Sequence, residues 1–364
     1  MATTTTERIL NFSAGPATLP EPVLQQAKQD IWNIGDSGIG VCEHSHRGPL
    51  FTKVLNEAVA DCRTVGNIPD DFEIMFLQGG ATLQFAMIAM NFLCDGQTAN
   101  YLDTGVWTTK AIKEAKKIGN VHLGFDGSIT NYDHCPSEEE IENVENAAYL
   151  HYCSNNTIYG TRYKDVPVSS APVICDMSSD MFSRAIDWSK IDIVYAGAQK
   201  NLGPSGTVLV VMRKSMIEKC PNNLPLLLNY RAIAEKDSCL NTPPTFGIYL
   251  MGQVFKWILG EGGLRAIEKR NEDKAGLIYH TLDSNGEFYT TFARECCRSK
   301  MNISFKTQSP ELDSLFLEEA TKRGMSGLKG HRNLGGLRAS IYNAFPEEGC
   351  ARFAEFLEEF ATAH

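Results

Sequence analysis

No apolar run in this 364-residue chain approaches the roughly 18 residues that a membrane-spanning helix needs. No membrane span is therefore expected. The sequence has no Gly-x-Gly-x-x-Gly and no Gly-Lys dipeptide anywhere. Neither a dinucleotide fingerprint nor a Walker A loop can be built from it. The 11 cysteines, an odd number scattered from Cys42 to Cys350, include no pair spaced Cys-x-x-Cys. That spacing is what a zinc ribbon or a thioredoxin-like motif requires. They read instead as small buried hydrophobes of a reducing compartment, so a cytoplasmic location and no metal are expected. Cys42, His44 and His46 alternate in a glycine-flanked loop, but no fourth ligand stands nearby. Basic residues are the scarcer sign, 34 Lys and Arg against 44 Asp and Glu, for a net charge of −10. This argues against a nucleic-acid or membrane-surface role, which a basic face would serve. The stretch 1–10 is rich in threonine and lacks the apolar core of a secretory signal.

What is present is ample for a globular fold. Hydrophobic residues make up 43% and charged residues 21%, which excludes global disorder. At roughly 150 residues per domain the length predicts about two domains. Apolar runs at 72–77, 100–103, 149–153, 173–176, 191–195 and 207–213 read as strands. Helical stretches follow some of them, at 81–93 and 108–118. Strands alternating with helices predict an α/β fold with a mostly parallel sheet flanked by helices. Ligands then bind beyond the carboxyl ends of the strands. After the Gly-Glu-Gly-Gly at 260–263 the pattern shifts. A charged helix at 264–282, a strand at 301–306 and helices at 310–323 and 347–362 predict a smaller C-terminal α+β domain.

Lys200 follows a strand and lies in the glycine-bracketed turn Gly197-Ala198-Gln199-Lys200-Asn201-Leu202-Gly203. Taken alone it is a surface lysine, but a lysine desolvated in such a turn loses proton affinity and becomes an amine nucleophile. Asp176 closes the apolar strand Val173-Ile174-Cys175-Asp176. Alone it is a turn residue; together with Lys200 it matches what pyridoxal 5′-phosphate needs. An acid against the pyridine nitrogen keeps the ring protonated and electron-withdrawing. Gln78-Gly79-Gly80-Ala81-Thr82 joins a strand to a helix, and helix-start N–H groups with a Thr hydroxyl suit a phosphate. Trp107 stands before a helix, where it is either core or a wall for an aromatic ring.

These residues, with Asn11-Phe12-Ser13-Ala14-Gly15-Pro16, Ser45-His46-Arg47, Asn241-Thr242-Pro243-Pro244-Thr245 and the stretch 330–338, Gly-His-Arg-Asn-Leu-Gly-Gly-Leu-Arg, carry a resemblance. The chain is similar over nearly its whole length to the phosphoserine aminotransferase family, fold-type I, class V pyridoxal-phosphate enzymes. The resemblance implies a homodimer with shared sites. It implies amino transfer between glutamate and 3-phosphohydroxypyruvate, giving 2-oxoglutarate and O-phosphoserine in serine biosynthesis. It assigns Lys200 to the covalent bond with the cofactor and to proton transfer, and Asp176 to the pyridine nitrogen. Trp107 takes the stacking role, Thr157 the cofactor's phenolic oxygen, and Ala81, Thr82 and Gln199 its phosphate. Asn241 and Thr242 would reach the phosphate of the neighbouring subunit. His46 and Arg47 would serve substrate across that interface, and His331, Arg332 and Arg338 would hold the substrate's phosphate and carboxylate. Forked guanidinium groups suit both anions.

The implied organisation is an N-terminal segment, 1–18, packed with the small domain, a large cofactor-binding domain, 19–262, and the small domain, 263–364. Leu83 and Asn156 depart from the family pattern, the first where small residues are common in the phosphate turn, the second where glutamate is common. A related transaminase acting on alanine or serine with glyoxylate would share Lys200 and Asp176 but would not need the His-Arg pairs. A cofactor-binding scaffold without catalysis would not need both Lys200 and Asp176.

Overall fold

The computed structural model describes residues 8–94 and 96–364; most of the threonine-rich stretch lies outside the described residues. Twelve strands run in chain order among them. They are β1 (Leu10–Asn11), β2 (Phe72–Gln78), β3 (Thr98–Asp103), β4 (Asn120–Asp126), β5 (Leu150–Cys153), β6 (Val173–Asp176), β7 (Ile193–Gly197), β8 (Thr207–Arg213), β9 (Thr290–Thr291), β10 (Asn302–Lys306), β11 (Met325–Ser326) and β12 (Leu337–Ser340). The α-helices are α1 (Glu21–Asp30), α2 (Pro49–Gly66), α3 (Ala81–Phe92), α4 (Val106–Ala115), the short α5 (Lys214–Ile217) and α6 (Tyr230–Ala234), then α7 (Thr245–Gly260), α8 (Gly263–Ser284), α9 (Pro310–Lys322) and α10 (Glu347–Ala363).

A seven-stranded sheet with the order β2-β8-β7-β6-β5-β3-β4 forms the centre. Every neighbouring pair from β7 through β4 is parallel, and β8 runs against both β7 and β2. The reversal follows from chain length. The connection 198–206 is too short for a crossover, which takes a dozen or more residues. The alternating side chains explain why these strands read as unbroken apolar runs. Leu209 and Val211 of β8 join one core with α2 and α7, while Val208, Val210 and Met212 join the opposite core with α3 and α4. A sheet covered on both faces has no polar side to show.

A third core unites α8, α9, α10 and the antiparallel β12-β10-β9 sheet. Leu10 and Phe12 belong to it, because β1 pairs in parallel with β11 and Phe12 packs on Phe345 and Phe353. Lys274 of α8 is fully committed here: its ammonium donates to the carbonyls of Ile341, Tyr342 and Phe345 at 2.7–3.1 Å.

On β5, His151 is buried, stacked on Tyr101 at 4.8 Å, with Nε2 2.8 Å from the Tyr195 hydroxyl. Burial pushes its pKa down to about 3. The unfolded chain, titrating near 6.5, takes the proton first. Stability is therefore lost as pH falls through about 6.5, and by pH 5 the loss from this one ring is about 2 kcal/mol. Urea unfolding of His151→Gln should show a flatter acid slope between about pH 6.5 and pH 4 than the wild type does. An unchanged slope would remove His151 as its source.

Candidate active site

The site is built from strand ends. β2, β3, β5, β6 and β7 point the same way, and each hands over to a loop at one edge of the sheet. A cavity of about 510 Å³ opens there, lined by Ala81, Thr82, Trp107, Asp176, Gln199 and Lys200, together with Gly80, Phe85, Cys153, Asn155, Ser178 and Ser179.

Gly79 adopts φ +101°, a left-handed conformation that glycine takes without strain. It turns the chain from β2 into α3. Helix α3 starts at Ala81 with no side-chain cap and no acid in its first turn. Its first N–H groups, with the Thr82 hydroxyl, thus face the cavity as an anion-binding end. Trp107 lies inside the first turn of α4, since that helix begins two residues earlier than the sequence pattern placed it. Its Nε1 is buried with no partner. Lys110, one turn along, stands 4.6 Å above the indole.

Asp176 is 3% exposed. Its Oδ1 accepts the Ser178 N–H at 2.9 Å, and the Ser178 hydroxyl accepts the N–H of Gly197 at 3.1 Å. Ser178 therefore ties the acid's strand to the strand that leads to the lysine. Burial raises the Asp176 pKa, while the two Ser178 bonds and the Lys200 charge oppose the rise. Lys200 is buried too, and its Nζ donates to Thr157 Oγ1 at 2.5 Å and stands 5.5 Å from the Trp107 ring. Burial lowers its pKa, with the Asp176 carboxylate working the other way. The result is an amine that gives up its proton more readily than a surface lysine does.

Arg338 donates from Nη1 to the Thr157 carbonyl at 3.2 Å, so the third arginine of the sequence reading reaches the same corner. Its Nε is buried without a partner. His331 has its pKa lowered by burial, then by Arg338, Arg332 and Lys110. These positive groups gather at one rim, and among the described residues Lys110, Arg332 and Arg338 form no ion pair.

The class-V aminotransferase model matches residues 9–353. The chain belongs to the class-V aminotransferase family. A phosphoserine aminotransferase of Lysinibacillus sphaericus is 46% identical over 360 residues, 99% of each chain. Among solved structures, the phosphoserine aminotransferase of Bacillus circulans subsp. alkalophilus superposes with a TM-score of 0.96 at 46% identity, covering 98% of this chain and 99% of that one. A PLP-bound phosphoserine aminotransferase from Trichomonas vaginalis gives 0.92 at 36% identity, covering 96% of this chain and all of that one. The fold is thus that of the class-V aminotransferases, with a mostly parallel sheet between helices.

The donor set of this class-V cavity fits pyridoxal phosphate. The uncapped start of α3 would take its phosphate, the buried Lys200 amine its carbonyl carbon, and the buried Asp176 carboxyl its pyridine nitrogen. The orphaned Trp107 N–H adds a buried donor at the wall.

Not every residue of the sequence reading enters this cavity within one chain. Asn241 donates to Gln78 Oε1 at 3.0 Å, at the end of the strand feeding the phosphate turn, and lines a separate cleft of about 370 Å³; Thr242 is exposed. His46 is half-buried with Nε2 unpartnered, and Arg47 is exposed. Both lie on the loop between α1 and α2, with no hydrogen bond to the cavity residues among those described.

The two departures have physical accounts. Leu83 lines the Asn241 cleft and packs on the phosphate turn from that side, its Cδ2 3.3 Å from where a Cβ on Gly79 would stand. Asn156 donates from Nδ2 to the Thr104 carbonyl, a bond that an ionised glutamate cannot donate. It reaches that carbonyl across Gly105, where a Cβ would lie 2.0 Å from Nδ2. The Thr157 turn is thereby pinned to the segment that launches Trp107.

Ser178 and Lys110 escaped the sequence reading. Asp-x-Ser is an Asx-turn pattern, and Lys110 lies three residues past Trp107 on one helix face, so both signals were there.

Proposed function

We propose that the chain is a phosphoserine aminotransferase, moving an amino group reversibly between L-glutamate and 3-phosphohydroxypyruvate to give 2-oxoglutarate and O-phospho-L-serine. The observation that carries this reading is Lys200 and Asp176 lining one buried cavity in a chain 46% identical to such an enzyme over 99% of both lengths. The product places the enzyme in serine biosynthesis. Bound pyridoxal phosphate supplies the electron sink that makes an α-proton of the amino acid acidic.

The chain's own residues do the rest. Ala81, Thr82 and Gln199 would hold the cofactor phosphate, Trp107 would cover the ring and Thr157 would hold its phenolic oxygen. Asp176 would keep the ring nitrogen's proton by charge. The Lys200 amine, readied by burial, would take the proton from the substrate's α-carbon and return it on the far side of the amino nitrogen, a 1,3-shift. His331, Arg332 and Arg338 would receive phosphate and carboxylate.

Asn241, Thr242, His46 and Arg47 would complete the sites of a homodimer, which would account for their having no contact with their own chain's cavity. The division 1–18, 19–262 and 263–364 remains the proposed domain plan, and the cytoplasm the proposed location. No helix among the described residues is long and apolar enough to cross a membrane. Assaying purified protein with glutamate against 3-phosphohydroxypyruvate and against glyoxylate tests the reading. Preference for glyoxylate would move the chain to another class-V activity.

Specificity is expected to rest on the rim arginines. A cation left unpaired when the phosphoryl group is missing loses a bond worth about 1.5–3 kcal/mol. Arg332→Leu should cut kcat/KM for phosphohydroxypyruvate by about 10²–10⁴-fold, counting two such bonds. It should touch hydroxypyruvate far less. Arg338→Leu should weaken both ketoacids, because both keep the carboxylate. Equal losses on both in Arg332→Leu would show that Arg332 does not read the phosphate.

A further inference from the structure

Away from the cavity, three cysteines meet at a second opening of about 950 Å³. Cys297 is half-buried, Cys296 is exposed, and Cys135 is 9% exposed. The Cys297 sulfur accepts the Cys135 N–H at 3.4 Å, lies 3.7 Å from the Cys135 carbonyl oxygen and stands 3.6 Å from the Cys296 sulfur. The segments that bring them together are held rigidly. Arg294 donates to the Asp133 carboxylate at 2.9 Å and also bonds its backbone carbonyl, and Arg162 N–H bonds the Cys297 carbonyl at 2.7 Å. Besides the cysteines, the charged and titratable side chains lining the opening are His134, Glu138, Glu140, Tyr163, Lys164, Asp165 and Arg294.

We propose that Cys297 is a peroxide-oxidisable thiol that closes a reversible disulfide on Cys135. Both backbone polar groups of Cys135 lie within 3.7 Å of the Cys297 sulfur, so its side chain is within reach. Pairing with Cys296 instead would force a ring through two consecutive residues. In the first step the Cys297 thiolate attacks one oxygen of a hydroperoxide. The S–O bond forms, the O–O bond breaks, sulfur is oxidised by two electrons and the second oxygen leaves as hydroxide or alkoxide. In the second step the Cys135 sulfur attacks the Cys297 sulfur. The S–S bond forms, the S–O bond breaks, and the departing oxygen takes the Cys135 proton and leaves as water.

The surroundings favour this order. Hydrogen bonds from Cys135 lower the Cys297 pKa most, burial opposes them, and the result is about 5. Cys135 is raised, by burial first and by the neighbouring Cys297 next. The second of these causes vanishes once Cys297 carries oxygen. The opening gives a small peroxide access to the sulfur.

The test uses the wild-type holoenzyme. At about pH 6, iodoacetamide should alkylate Cys297 about tenfold faster than the exposed Cys42 and Cys94, the larger thiolate fraction outweighing its weaker nucleophilicity. Equal rates would overturn the thiolate assignment. After stoichiometric hydrogen peroxide and alkylation of remaining thiols, peptide mapping should show a 135–297 cross-link that dithiothreitol removes. Cys135→Ser should lose the cross-link and instead bind dimedone at Cys297. Absence of any cross-link, or a 296–297 pair in its place, would overturn the proposal.

Discussion

Lys200→Ala is expected to lower steady-state transamination by at least about 10⁴-fold while the chain stays folded. Proton transfer by a placed base is worth about 10²–10⁴ on its own, and the covalent role adds to it. No other lysine is available to substitute. Among the residues lining the cavity, Lys200 is the one lysine. Lys274 is bound to three carbonyls, and Lys110 lies over the Trp107 ring without lining the cavity. The alanine leaves Thr157 Oγ1 without its donor but keeps the turn, because Leu202 and Gly203 N–H close it on the Ala198 carbonyl. Circular dichroism and Tm should therefore stay near wild type. Turnover within about 100-fold of wild type would refute the role.

The same variant tests the shared sites. Mixed with an inactive Asn241→Ala/Thr242→Ala chain, Lys200→Ala should regain part of its activity, because one of two sites in the mixed dimer would be whole. No recovery despite proven subunit exchange would mean that each site is built from a single chain.

Why the chemistry was legible before the fold was known follows from where it sits. Asp176 and Lys200 end or follow short apolar strands, and a polar residue at such a position stands out against its run. Strands β2, β6 and β8 were equally plain, because both faces are apolar. β4 was not: only Gly124 of Asn120–Asp126 is buried, so this edge strand has no hydrophobic run to announce it. The packed helices α2 and α7 were passed over for a related reason. Their caps carry no side-chain hydrogen bond, and α7 begins after two prolines with apolar residues all round, which blurs the 3.6-residue period. Trp107 was displaced because the start of α4 is set by Thr108 bonding back to the Thr104 and Gly105 N–H groups and to Asp103, contacts invisible without the β3 end in place. Asn241, Thr242, His46 and Arg47 carry motifs that the proposed homodimer would complete with a second chain, and one folded chain leaves them apart from the cavity.

Asp176→Asn should keep the fold and the cofactor yet slow α-proton removal from glutamate by about 10²–10⁴-fold. The amide's oxygen can still accept the Ser178 N–H, so the strand end and its link to Gly197 survive. What disappears is the negative charge. In this buried position a carboxylate facing a protonated ring nitrogen is not screened by water, and breaking such a pair costs about 3–5 kcal/mol. Part of that charge is prepared in the chain itself, where the Ser178 bonds and Lys200 offset the upward push of burial on the Asp176 pKa. An asparagine has no charge for them to hold, and the ring then loses its proton and much of its capacity to take up electrons. The barrier of the proton-removal step should rise by most of the pair's energy, which sets the expected range of rates. Single-turnover measurement of the glutamate half-reaction, with bound cofactor followed by its absorbance, separates this from cofactor loss. A rate within about threefold of wild type, less than 1 kcal/mol of barrier, would show that Asp176 fixes the ring in place without tuning it.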